Sequence, residues 1–305
     1  MTRISDLGFQ QILLSSFQRA QSAAQSRQIQ LASGKVSDRY SGVGVRTEQL
    51  LSAEGVVNRA TAYEKAAGVA ASRLEVQAAG LDAIGDSLAR LRSRFVTALS
   101  TGSADLVFVE LATEAQRILS ALNTETSGVY VFGGTDGAAP PVDARTIDDL
   151  AAAANTDDLF TAAARTRLPV EEGTTVDGGA TANEIAGGIL ARLKELADAP
   201  GTLGPFSGQL TAAQAAFLVG KVAEFDALSA ALIEHQGANG VAQRQVAAAV
   251  DRNVQRRNLA EIVASEIEDV DLAEVVARLN QDRLAIEAAA QALAQSRDLS
   301  LLNFL

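Results

Sequence analysis

The sequence has no cysteine and no tryptophan, one histidine, one methionine and five prolines in 305 residues. Without cysteine there are no disulfides, thiolate nucleophiles or zinc–thiolate centres. Aromatic residues make up only 4% of the chain, which suits a large concave ligand pocket poorly. Positive charge is also short: 26 Lys+Arg against 37 Asp+Glu leave a formal net charge of -11. Neutralising nucleic-acid phosphates or an anionic lipid surface takes clustered cations, so neither nucleic acid nor membrane is expected as a partner. No apolar window reaches the length of a membrane-spanning helix. Ile12-Leu13-Leu14 sits between glutamines and is too short for the core of a secretory signal. If the protein leaves the cell, the expected route is one without a cleaved signal peptide.

What fills the chain instead is alanine and leucine at helical spacing. Leu272, Leu279, Ile286 and Leu293 recur every seven residues, the period of a helix lying against another helix. Asp271 with Glu274 three residues on predicts a capping box at the start. The same helix runs into Leu299-Ser300-Leu301-Leu302-Asn303-Phe304-Leu305. Burying four Leu/Ile side chains yields roughly 6–12 kcal/mol. Ordering that much backbone costs on the order of 1–2 kcal/mol per residue, so the helix needs a partner. Residues 5–33 offer one, a helix with Leu7, Leu14, Phe17, Ala24 and Leu31 on a seam that also holds Gln21 and Gln28, at steps of seven, three and four. The spacing predicts that the two terminal helices pair as a coiled coil.

Between them, Ser33-Gly34-Lys35 and Ser41-Gly42-Val43-Gly44 mark a loop. A long helix is predicted from about Arg46 to Ser100, with Leu74, Leu81, Leu88 and Phe95 at one heptad position and Ile84 and Leu91 at the other. A shorter one follows, with Leu111, Ala115, Ile118 and Leu122 on one face, and then Val129-Tyr130-Val131-Phe132 as a hairpin arm. Residues 135–182 lose the heptads. Arg167 to Val176 reads as a strand pair and Ile147 to Ala164 as two short helical turns. Heptad order returns with Ile185, Ile189, Leu193 and Leu196, pauses at a Gly/Pro loop over 200–208, and continues through Leu218, Val222, Phe225 and Leu232. Gly237-Ala238-Asn239-Gly240 predicts a break before a further helix over Val241 to Ala264.

No constellation for catalysis emerges. His235 has neither cysteine nor a serine–carboxylate pair to work with, and reads as a helix-end residue beside the glycine break. Glu266, Glu268, Asp269 and Asp271 lack the glycine turn and twelfth-position glutamate of a calcium loop, and read as helix-terminus caps. Gly133-Gly134 is followed by no Gly-Lys-Ser/Thr and is no phosphate loop. Arg252, Arg256 and Arg257 have Asp251, Glu261 and Glu266 nearby, the composition of solvated ion pairs. The expectation is no enzyme, no cofactor and no metal.

Five segments in order resemble one family. They are Met1-Thr2-Arg3-Ile4-Ser5, Gln30-Leu31-Ala32-Ser33-Gly34-Lys35-Val36, Tyr130-Val131-Phe132-Gly133-Gly134-Thr135, Glu266-Ile267-Glu268-Asp269-Val270-Asp271 and Ser300-Leu301-Leu302. Together they make the chain similar, over 1–135 and about 184–305, to the flagellin family of bacterial axial proteins, and within it to the hook–filament junction branch. Asp38-Arg39-Tyr40-Ser41-Gly42 replaces the Asp-Asp-Pro loop of that family, and the insertion is shorter than most. The resemblance implies a mainly α, nested helical bundle with a small α/β insertion outermost. Its expected domains are a terminal coiled coil (1–40 and 266–305), a bundle core (41–135 and 184–265) and a variable surface insertion (136–183).

The resemblance further implies a structural role in the extracellular flagellum after type III export. Implied partners are an FlgK-like junction protein, flagellin, sister copies in a ring and an FlgN-like export chaperone. The residues expected at subunit interfaces are Leu14, Phe17, Leu31, Leu272, Leu279, Ile286, Leu293, Leu301 and Leu302. The rival readings are a filament-forming flagellin and a non-flagellar helical scaffold.

Overall fold

The computed structural model describes the backbone of residues 2–302 and the side chains of Gly8 and residues 11–295. The interface candidates Leu301 and Leu302, and the opening and closing segments of the family resemblance, therefore lie outside the described side chains. Helices dominate: α1 (Thr2–Ser33), α2 (Thr47–Thr101), α3 (Val107–Leu122), α4 (Ile147–Ala152), α5 (Ala182–Leu203), α6 (Ala212–Glu268) and α7 (Leu272–Leu302). Among the described residues there are also two antiparallel pairs, β1 (Glu125–Thr126) with β2 (Val129–Tyr130) and β3 (Arg167–Glu171) with β4 (Thr174–Asp177), and three short 3-10 turns, Tyr40–Gly42, Gly44–Arg46 and Thr156–Leu159. The predicted helical and strand segments are therefore present, with the arm at 129–132 reduced to two paired residues. Ser127 and Gly128 turn that hairpin with φ of +52° and +78°, the positive pair a two-residue hairpin loop requires.

The chain divides into two compact units, residues 1–59 with 256–305 and residues 60–255. The second unit holds the larger core. Leu81, Ile84, Leu88, Leu91 and Phe95 of α2 meet Leu111, Ile118 and Leu122 of α3, Ile189 and Leu193 of α5, and Leu218 and Phe225 of α6, all sealed from solvent. Phe95 and Phe225 pack edge to face, 5.3 Å apart at 88°. Two loops are clasped beside this core: Ala104 donates to Gly208 O (2.8 Å), Leu210 to Gly102 O (2.8 Å), and Gly208 to the Asp105 carboxylate (2.9 Å).

Within this unit the inserted residues pack into the bundle. Val142 and Leu150 join the main core. Val170 and Val176 of the β3–β4 hairpin seal a second one with Ala67, Ala70 and Leu74 of α2 and Ala242, Val246 and Ala249 of α6. The alanines let the hairpin approach the helices closely.

Two expectations fail, both in α6 and its approach. No break occurs at 237–240: α6 runs through both glycines, although each costs about 1 kcal/mol relative to alanine. Contacts to α2 on successive turns hold it helical: Gln236 to Asp82 (2.8 Å), Asn239 to Gln77 (3.3 Å) and Gln243 to Leu74 O (3.1 Å). His235 is consequently a half-buried mid-helix residue rather than a helix end. The loop predicted over 200–208 begins only at Gly204 (φ +78°), because α5 carries Pro200 in its final turn. There the ring forgoes the amide bond to the Leu196 carbonyl, a loss confined to the last turn.

Candidate assembly surfaces

The first unit is built on the α1–α7 pair. Gly34 ends α1 with φ of +71°, a left-handed terminus that glycine adopts without penalty. The next residues meet the segment before α7. Val36 N donates to Glu268 O (2.6 Å), Val270 N donates to Gly34 O (3.0 Å), and Gln30 Nε2 donates to Val36 O (2.8 Å). Lys35 reaches Glu268 at 3.1 Å, and that carboxylate holds the ammonium above its ordinary pKa. Two of the segments that carried the family resemblance, 30–36 and 266–271, thus bind each other. Asp271 caps α7 through the amides of Ala273 (2.8 Å) and Glu274 (3.2 Å). The second half of the predicted capping box is replaced, since the Glu274 carboxylate turns to Arg278.

Exposure separates two faces on each terminal helix. On α7, Val275 and Leu279 are buried and Asp282, Ile286, Ala289 and Leu293 are partly covered. These residues advance by four and three, the seam of one helix on another. Leu272, Val276 and Leu284 lie off that seam, 51%, 42% and 66% exposed. On α1, Ala24 is buried and Leu13, Phe17, Ala20 and Arg27 are partly covered, whereas Ile12, Leu14, Ile29 and Leu31 remain exposed. Of the interface candidates, Phe17, Leu279, Ile286 and Leu293 sit on the covered faces. Leu14, Leu31 and Leu272 sit on the open ones. Each terminal helix therefore carries large aliphatics exposed to solvent on the face turned away from its partner helix.

The Tyr130–Thr135 segment has an internal task. Val131 and Phe132 are buried, and Phe132 O accepts from Ala182 N (3.0 Å). Its ring presses so closely on Gly80 that an added Cβ there would lie 2.8 Å from it. Gly134 holds φ of +58°, and a Cβ would stand 2.3 Å from Ala164 O. The glycine pair serves close packing.

Nothing among the described residues assembles an active site. His235 lines a cleft of about 300 Å³ with Gln77, Phe132, Arg165 and Asn239, and Arg165 is already committed to Asp177 (3.1 Å) and Glu184 (2.9 Å). The acidic run is consumed locally by Lys35, by Ser265 and by the α7 cap. No cluster of three His/Cys/Asp/Glu suited to a metal occurs among the described residues. No described helix is long and apolar enough to cross a membrane. Arg252 pairs with Glu171 of β3 (2.9 Å) and Arg257 with Glu261 (3.6 Å), so part of the basic cluster anchors the hairpin.

Buried amides escaped the sequence reading. Gln77, 1% exposed, donates to Val131 O and Gly178 O and accepts from Asn239, while Asn253 donates to Val170 O (2.8 Å). The signal was present: Gln77 stands seven residues before Ile84 and fourteen before Leu91, a polar residue in an apolar heptad column. Sequence spacing could not say what that amide would meet.

With this geometry described, the chain can be set beside known proteins. The profile for the bacterial flagellin N-terminal helical region matches residues 4–136, and that for the bacterial flagellin C-terminal helical region matches residues 222–305. No curated protein matches the chain by sequence. Among solved structures, a Vibrio parahaemolyticus protein provisionally described as flagellar hook-associated shares the fold. It has a TM-score of 0.59 at 16% identity and covers 76% of this chain and 99% of its own.

Proposed function

This chain belongs to the bacterial flagellin family, structural and non-enzymatic axial proteins, and from that premise we propose that it is an FlgL-like adaptor at the hook–filament junction. In this reading it joins an FlgK-like protein on the hook side to the first flagellin subunits, as a ring of its own copies. It reaches that place unfolded, through type III export, escorted by an FlgN-like chaperone.

The observation that carries the reading is the two-faced terminal pair. One face of α1 and α7 is satisfied within the chain, while Ile12, Leu14, Ile29, Leu31, Leu272, Val276 and Leu284 present aliphatic surface outward. Burying one such side chain fully is worth roughly 1.5–3 kcal/mol, enough in sum to hold neighbours. A surface of this kind, used head to tail, builds rings or helical assemblies rather than two-fold dimers. The Tyr-Val-Phe-Gly-Gly-Thr segment supports the junction branch over the filament branch.

Gold-labelled antibody on intact flagella tests the proposal. Label confined to the boundary between hook and filament is expected. Label along the whole filament, or purified protein growing unseeded into long filaments, would make the chain a filament flagellin instead.

A further inference from the structure

A second surface lies far from the terminal pair in sequence, in the unit formed by residues 60–255. Between α2 and the β1–β2 hairpin runs a groove of about 570 Å³. Its floor is aliphatic: Val69 (73% exposed), Val129 (40% exposed), Val131 and Leu168. Lys65 and Arg73 stand along its α2 side, two turns apart. Neither has a carboxylate partner among the described residues. Arg73 donates from Nη2 to Val131 O (3.0 Å), and its Nε is buried with no acceptor.

Arg73 differs from the guanidiniums that hold a carboxylate within the chain. Arg94, Arg165 and Arg192 each have a hydrogen-bonded carboxylate that raises the guanidinium pKa; burial lowers that of Arg73. A guanidinium partly removed from water with a donor unfilled is costly until an anion meets it. The chain around it is acidic, with net charge -11. Copies of such a chain repel on approach, so a contact between them is favoured where cations have been left unneutralised.

We propose that this groove is a contact between copies of the chain, taking an acidic and aliphatic helix face of a neighbouring copy. The neighbour's aliphatic side chain fills the Val69–Val129–Leu168 floor while its carboxylates meet Arg73 and Lys65. Helix-in-groove recognition of this type reads side chains on one helix face. The acidic, alanine- and leucine-rich composition of this chain supplies such faces. The inference rests on the proposal that copies assemble side by side.

Native flagella provide the test, because a water-soluble carbodiimide joins an amine directly to a carboxylate it touches. The expected product is a band of twice the chain mass in which Lys65 forms an isopeptide with an Asp or Glu of this same sequence. Lys194, which has Asp198 at 3.2 Å in its own chain, serves as the internal control. Lys65 left free while Lys194 couples, or Lys65 coupled to a different axial protein, overturns the assignment. In parallel, Lys65→Glu and Val69→Asp, both at exposed positions, are expected to lower incorporation by about tenfold or more with an unchanged circular dichroism spectrum. Incorporation within about twofold of the unaltered protein would refute the groove. Antibody label along the whole filament, with the Lys65 product still formed, would sink the junction reading but leave this contact standing.

Discussion

Leu279 and Leu284 are five residues apart on one helix, and the structure assigns them opposite jobs. Leu279 is 5% exposed in the α1–α7 seam; Leu284 is 66% exposed on the outer face. Replacing Leu279 by alanine removes three carbons, about 2.4 kcal/mol at roughly 0.8 kcal/mol per methylene. A rigid core would add a cavity term and reach the upper end of the 2–5 kcal/mol range. Here the seam one turn further along α7, at Asp282, is only partly covered, so the site can relax, and about 2–3 kcal/mol is expected. At 1.4 kcal/mol per factor of ten, that raises opening of the pair roughly 30–150-fold. Amide hydrogen exchange in the monomer reads it directly. Amides of α1 from Ala20 to Arg27 and of α7 from Val275 to Ile286 should exchange faster by that factor, while α3 and α5 stay unchanged. Leu284→Ala should alter exchange by less than about twofold, a surface effect within ±0.5 kcal/mol, yet reduce incorporation into flagella. Unchanged α1 exchange in Leu279→Ala, or equal acceleration in both variants, would refute the division into a folding face and an assembly face.

Four further outcomes follow from the same geometry. Phe225→Ala should destabilise the 60–255 unit by about 3–5 kcal/mol through lost burial and the lost edge contact with Phe95, measured by urea unfolding. Gly179→Ala should loosen the β3–β4 hairpin, because φ is +93° and a Cβ would lie 1.9 Å from Gln77 Oε1; faster cleavage at Arg167 by trypsin reports it. Asp149 accepts the amide of Arg145 and the hydroxyl and amide of Thr146, which hold its carboxyl below the ordinary aspartate pKa. A folded value below the unfolded one means stabilisation at pH above the ordinary aspartate range that is lost as pH falls through the depressed value. Amide shifts of α4 should therefore move only on acidification past that range. His235→Ala should leave assembly and motility intact, since no described partner makes it a base; loss of motility with a folded protein would contradict this.

Much of the helical layout was legible in the heptads. Leu74, Leu81, Leu88 and Ile84 mark the buried face of α2 by spacing alone, and all four are sealed. Ile185, Ile189, Leu193 and Leu196 did the same for α5. What misled was local: glycine at 237 and 240 and proline at 200 are rightly read as breakers where nothing opposes them. In α6, bonds to α2 on three successive turns hold Gly237 and Gly240 in the helix. The interface candidates were equally incomplete, because a seven-residue step identifies an apolar column without saying which column meets the chain's own partner helix.

Composition and spacing alone determined that this is a cysteine-free, helical, acidic chain whose ends carry apolar stripes and which offers no catalytic constellation, because those properties depend on residues near one another in sequence. Tertiary structure alone decided three things. It closed α1 onto α7 through Gly34 and Val270, put Leu279 inside and Leu284 outside, and left Arg73 above an aliphatic groove with no carboxylate partner among the described residues. Each depends on groups tens to hundreds of residues apart, and whether a side chain is satisfied or waiting is a property of its neighbours in space.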